Sequence, residues 1–289
     1  MTLTSYNIAR TFLAFGLLIT LIFNSNYTLF GYDILHLNNP VFDYNFYYIL
    51  REHLVLAKIL SIIILLIVIS GYFPRYSGIL HWYITYSFFM SSDVADGGDH
   101  IASNITLLLI PLTLLDNRKN HWSHQIVSQG NLKLYLMNSI YFLIAIQICA
   151  IYLHAFIGKL FVEEWKNGTA IYYWMTHNHF GINPIFKDFA TQLLSNKFIV
   201  IIISWSTLAL EFLLASCIIL SQSNKKRYIF LFSGILFHFG IMLIHGLVSF
   251  FFIMSAALFI YLMPKHSQFS LNQLKNKKIW KQFINQFLH

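Results

Sequence analysis

Apolar runs close to the length needed to cross a membrane recur from one end of this chain to the other, and they leave few folds open. A hydrocarbon core of about 30 Å takes about 20 residues of helix. Inside it, every backbone N–H and C=O of a lipid-exposed segment must be bonded within the protein. Hydropathy with polar breaks places eight helices near residues 11–30, 55–73, 79–92, 100–115, 133–157, 198–220, 229–245 and 247–263. The last two are separated at Gly246, since one crossing does not use that much chain. Only 10% of the residues are charged, against about 25% in soluble domains. The short alternating segments of a barrel are missing. The expected fold is an all-α polytopic integral membrane protein of about eight transmembrane helices.

Orientation follows from lysine and arginine, which concentrate on the cytoplasmic side. With the N-terminus inside, the inner segments hold thirteen basic residues, Arg10, Arg75, Arg118, Lys119 and Arg227 among them, against one acid, Asp116. The outer segments hold six basic residues against nine acids. Both termini are therefore expected in the cytoplasm. The net charge of +8 is accounted for by topology and by attraction to anionic lipid, with no nucleic-acid partner. No cleavable signal peptide is expected at the first apolar run. Residues 1–264 read as one transmembrane helical domain, with an outer segment at 158–197 packed on its mouth. Residues 265–289 mix apolar side chains with lysines and read as a basic amphipathic cytoplasmic tail lying on the bilayer. Cys149 and Cys217 fall inside apolar runs, where they read as core packing.

Four stretches carry ionisable groups out of keeping with their surroundings. The first is "SSDVADGGDH", residues 91–100. Asp99 stands where a helix N-cap is wanted, which leaves Asp93 and Asp96 without a reason. Three acids suit a divalent cation, but their order is not that of a calcium loop, so no metal is expected. His100 is either a proton-transfer group or an interfacial side chain. The second stretch, "YLHAFIGKLFVEEWKNGTAIYYWM", places Lys159 at the outer end of the fifth span. It either snorkels to the interface or points inward, where desolvation favours the neutral amine and makes it a base. The third puts Glu211 within the sixth span, where a carboxylate must face a partner or a cavity. The fourth holds His238 and His245, seven residues apart and on one helical face. A hydrogen bond between Glu211 and His238 is the plainer expectation. A site formed by Lys159, His100, Glu211 and His238 around one cavity is the sharper one. His154 has no assigned role, and His177 with His179 is weak as a metal pair.

These stretches carry a resemblance. "DGGDHI…LLLIPLTLLDNRKNHW" resembles the sporulation-delaying protein B family, bacterial membrane proteins of about this length. The wider pattern resembles the horizontally transferred transmembrane (HTTM) family, which includes the vitamin K-dependent gamma-carboxylases. "AFIGKLFVEEW" is similar to the carboxylase segment in which a lysine is thought to deprotonate vitamin K hydroquinone, and Lys159 matches that position. "FHFGIMLIHGLVSFFFIMSAALF" is similar to a carboxylase stretch with a histidine at the place of His238, and His100 lies near another carboxylase histidine. The chain has no counterpart of the large lumenal domain or propeptide site of the carboxylases, which sets glutamate carboxylation aside. The resemblance implies a role in antimicrobial toxin peptide production (a bacteriocin-maturation step) beside a small partner, sporulation-delaying protein A. It also implies a membrane quinone as cofactor and the precursor peptide as substrate. Two functions follow: a membrane enzyme that modifies or matures the peptide with Lys159 as general base, or a non-catalytic export, scaffold or immunity subunit. A secondary transporter is disfavoured, because no paired interrupted helices appear.

Overall fold

The computed structural model describes residues 3–31, 43–123, 131–177 and 181–263. The amphipathic tail and His179 lie outside these residues. Among the described residues eight long helices form the body: α1 (Leu3–Phe23), α2 (Leu54–Ser70), α3 (Pro74–Ser91), α4 (Gly97–Leu114), α5 (Asn131–Leu160), α6 (Lys197–Ser216), α7 (Lys226–His245) and α8 (Val248–Leu262). Five of them, α1, α2, α5, α6 and α7, are long and apolar enough to cross a membrane on that ground alone. Among the described residues there is no strand, only an isolated bridge between Tyr72 and Asn120. The protein is an all-α membrane protein.

The helices face lipid with one stripe and protein with the other, the reverse of a soluble amphipathic helix. On α7 the exposed residues Ile229, Phe232, Leu236, Phe239 and Leu243 are all large and apolar, while Arg227, Leu231, Gly234 and His238 are buried. Both sets repeat at three and four residues, so each marks one face. The same division puts Ala57, Ser61, Leu65 and Val68 of α2 inside and Ile59, Ile63 and Leu66 outside. Without a hydrophobic drive between helices in lipid, packing and polar contacts hold them together. Accordingly α3 and α4 meet through small and polar residues, Gly78 of α3 lying against the Thr113 side chain.

Helix α8 is the hub and packs on α1, α4, α5 and α7. Its residues Ile253 to Leu258 and Ile260 to Leu262 are all buried. The turn from α7 into α8 needs a left-handed residue, and Gly246 supplies it with φ 74°. At the other end of the pair, the buried Arg227 donates to the backbone oxygens of Leu220 at 2.8 Å, of Leu262 at 3.3 Å, and of Tyr261. A guanidinium among helix C-terminal carbonyls matches the negative end of their dipoles.

Two expectations need correcting here. The first helix begins at Leu3 and ends at Phe23, with a separate short helix at Asn26–Phe30. Ser25 caps that short helix by accepting from the Thr28 N–H, so the chain turns inside what reads as a single apolar run. Arg10 is therefore a residue within α1, 1% exposed, and not a flank in front of it. Between α5 and α6, short helices at Glu163–Lys166, Ala170–Thr176 and Lys187–Leu194 cover one end of that pair, with Trp165 and Ala170 packed on Leu208.

Candidate functional site

Lys159 closes α5 and Glu211 sits on the inward face of α6 with Ser204, Thr207 and Leu208. Their side chains meet: Lys159 Nζ donates to Glu211 Oε1 at 2.7 Å and Oε2 at 2.9 Å. The carboxylate side is 7% exposed and the lysine side 25%, so the pair is reached from the lysine. Nζ also lies 5.3 Å from the centroid of the Trp165 ring, and Phe156 and Phe212 pair alongside with centroids 5.1 Å apart. Lys159 thus points inward, against its apolar neighbours' invitation to snorkel.

His238 reaches this region through a residue that sequence reasoning passed over. Its Nε2 shares a hydrogen bond of 2.9 Å with the Tyr152 hydroxyl, and Tyr152 lies within electrostatic reach of the Glu211 carboxylate. Tyr152 and Lys159 stand seven residues apart on α5, two helical turns, and so share a face. That spacing was the available signal. The expected Glu211–His238 bond is replaced by two others, because Lys159 takes both carboxylate oxygens and the phenol takes the imidazole. His238 Nδ1 is buried with no partner.

His100 is not brought to this group. It is exposed at the start of α4, with its ring stacked on Phe89 of α3 at 4.8 Å. The helix that carries it presents Asp99 and Ser103 inward instead. The acidic stretch resolves into a capping box, and the N-cap is Asp96, not Asp99. Asp96 Oδ1 accepts from Gly98 N at 2.7 Å and Asp99 N at 3.1 Å, while Asp99 Oδ2 accepts from Asp96 N at 3.0 Å. Burial raises the Asp96 carboxyl above the usual carboxylate range, and the two backbone N–H bonds oppose this. Asp93 is exposed and its N–H bonds Leu29. Among the described residues, no group of three or more His, Cys, Asp and Glu gathers as metal ligands would.

A second polar cluster lies at the end of the bundle where α1 begins. Arg10 Nη1 donates to His121 Nδ1 at 3.0 Å and Nη2 to Ser77 Oγ at 3.0 Å. Arg118 pairs with Asp116 at 2.7 Å and bonds Asn7 Oδ1 at 3.3 Å. Tyr6 and His81 complete the group. It carries Asp116, Arg118 and His121 of "LLDNRKNHW" into the protein interior, out of a stretch that hydropathy reads as a charged loop.

An all-helical membrane bundle with a half-buried lysine–glutamate pair near one end and a buried arginine cluster at the other defines a polytopic membrane protein with internal ionisable sites. The chain belongs to the sporulation-delaying protein B family. It is 36% identical over 276 residues to sporulation-delaying protein SdpB of Bacillus subtilis (strain 168), covering 93% of this chain and 84% of that protein. It is also 32% identical over 290 residues to the uncharacterized protein YitO of the same organism, covering 95% of this chain and 90% of the relative. No family model matches the chain, and no solved structure matches it.

Proposed function

We propose that this protein is the membrane component of an antimicrobial peptide production system and that it modifies or matures the secreted peptide at the Lys159–Glu211 pair. Family membership supports the setting, since one relative bears the name sporulation-delaying protein. Its partners in this reading are the precursor peptide and a small subunit similar to sporulation-delaying protein A. The observation that carries the chemistry is the ion pair itself. Bringing two ions into an apolar bundle costs several kcal/mol each, and apolar replacements of such pairs are often neutral or stabilising. A chain with no use for the pair has little reason to hold it.

As ions, Lys159 is an acid and Glu211 a base. Moving one proton across the 2.7 Å hydrogen bond gives a neutral amine beside a neutral carboxylic acid, a state that low-dielectric surroundings penalise less. The amine then takes a proton from the substrate and becomes the ammonium again. Glu211 keeps the transferred proton, so that the ammonium faces the substrate anion, and Tyr152 and His238 are the next polar groups along. A membrane quinone, whose flat ring suits aromatic neighbours such as Phe156, Phe212 and Trp165 beside the pair, would when bound supply redox chemistry that these side chains lack.

The test is peptide maturation followed by mass spectrometry. Lys159→Ala is expected to abolish the mature product while the protein keeps its membrane level; normal product from this variant would end the reading. A second reading, a non-catalytic export, scaffold or immunity subunit, draws on the fact that the pair also pins α5 to α6. The exchanged pair, Lys159→Glu with Glu211→Lys, separates the two. It restores product if the pair is a pin, and restores only protein abundance if Lys159 is the base.

A further inference from the structure

Among the described residues Arg10 is a buried cation with no anion in reach. It is 1% exposed, a guanidinium keeps its charge at any physiological pH, and buried charges are normally paired. Among the described residues no carboxylate lies within ion-pair distance of it. Its two bonded partners, His121 Nδ1 and Ser77 Oγ, are neutral acceptors. The acid of this cluster, Asp116, is taken by Arg118 at 2.7 Å. Two guanidiniums against one carboxylate leave one positive charge unmatched.

The hydrogen-bond inventory points the same way. Arginine only donates, so His121 Nδ1 accepts and its ring hydrogen sits on Nε2. Among the described residues that Nε2–H has no partner, nor has Arg10 Nε–H, nor His81 Nε2; the Tyr6 hydroxyl oxygen faces the Arg10 guanidinium and its own hydrogen has no acceptor, and all four atoms are buried. They belong to one neighbourhood. The Tyr6 ring centroid lies 5.7 Å from the Arg10 guanidinium carbon and 6.4 Å from the His121 ring, and His81 lies within electrostatic reach of Arg10. A buried donor left without a partner forfeits its hydration and is unfavourable. Ordered water would satisfy the donors but leave the charge.

We infer that Arg10, Tyr6 and His121 form a binding site for an oxyanion of the phosphate type, supplied by a lipid headgroup or by free phosphate. Several acceptor oxygens on one anion suit donors arriving from three side chains, and guanidinium pairs with phosphate by charge and by geometry. The site stands apart from the Lys159–Glu211 pair and does not depend on its role.

Thermal unfolding of the full-length protein in a neutral detergent tests this, with sodium phosphate titrated against sodium chloride at equal ionic strength. A parallel titration uses phosphatidylglycerol against phosphatidylcholine. A saturable rise in Tm with phosphate or with phosphatidylglycerol, absent in both controls, is expected. A response to phosphatidylglycerol alone identifies a headgroup as the source, and a response to inorganic phosphate identifies the free anion. Tyr6→Phe removes one hydroxyl donor and leaves the bonds from Arg10 to His121 and Ser77 in place, and is expected to weaken the apparent affinity about tenfold; Arg10→Gln, where it folds, abolishes the response. No response in the unaltered protein, or an undiminished one in Tyr6→Phe, overturns the inference.

Discussion

His121 shows how neighbours fix the state of a single side chain. Burial lowers its pKa to about 3, and the Arg10 and Arg118 cations add to the effect. Tyr6, Trp122, the Asp116–Arg118 pair and the backbone of Gly71 also surround it. In the unfolded chain a histidine titrates near 6.5. Below that value only the unfolded chain takes the proton, so stability is complete above about pH 6.5 and falls as the pH drops towards 3. Thermal unfolding in detergent should therefore give a steady Tm from about pH 8 to 7 and a decline below about 6.5. In His121→Gln that decline should be shallower, and an unchanged slope would place the acid sensitivity in other groups. At this scale the sequence was least legible. Arg10 reads as a lone cation ahead of an apolar run. Only once the helix is known to start at Leu3 do Tyr6, Arg10, Leu13 and Leu17 line up at helical spacing as one buried stripe. Lys159 and Glu211 were legible as stranded charges, but nothing in their spacing along the chain, 52 residues apart, says that they meet.

Helices were far more legible, because each apolar run and each breaker acts locally. Seven of the eight begin and end within a few residues of the expected bounds, and α7 and α8 part at Gly246 as expected. The exception is α1, where hydropathy weighs Tyr6, Asn7 and Arg10 as polar and moves the start inward; the helix tolerates them because they face protein. The start of α4 offers a direct test of what its acids do. Asp96→Ala removes the cap and should cost about 1 kcal/mol, read as a fall in Tm. Asp96→Asn, which also caps, should cost little. A large loss in Asp96→Asn would mean that the charge at this position, and not the cap, is what matters.

For the molecule as a whole, burial changes the charge count on which orientation was argued. Arg10, Arg118 and Arg227 are buried, so they hold helices together and report little about sidedness. Removing them from the thirteen inner basic residues leaves ten against six outside, still biased towards an inner N-terminus. With Cys149 and Cys217 replaced by alanine, a membrane-impermeant thiol reagent should label a cysteine at Asn167 from outside the cell and leave one at Asn224 untouched. Labelling at Asn224 alone would invert the protein and put the Lys159 end in the cytoplasm.

The enclosure of α8 bears on how this protein meets bilayers of different thickness. Fifteen residues rise about 22 Å, short of a hydrocarbon core of about 30 Å, yet α8 has protein on nearly every side. Hydrophobic mismatch is felt by segments that touch acyl chains, which tilt or deform in response. Here those segments include the lipid-striped α2 and α7. They can adjust to thinner or thicker membranes while the axle at the centre, and the charged groups hung around it, keep their spacing.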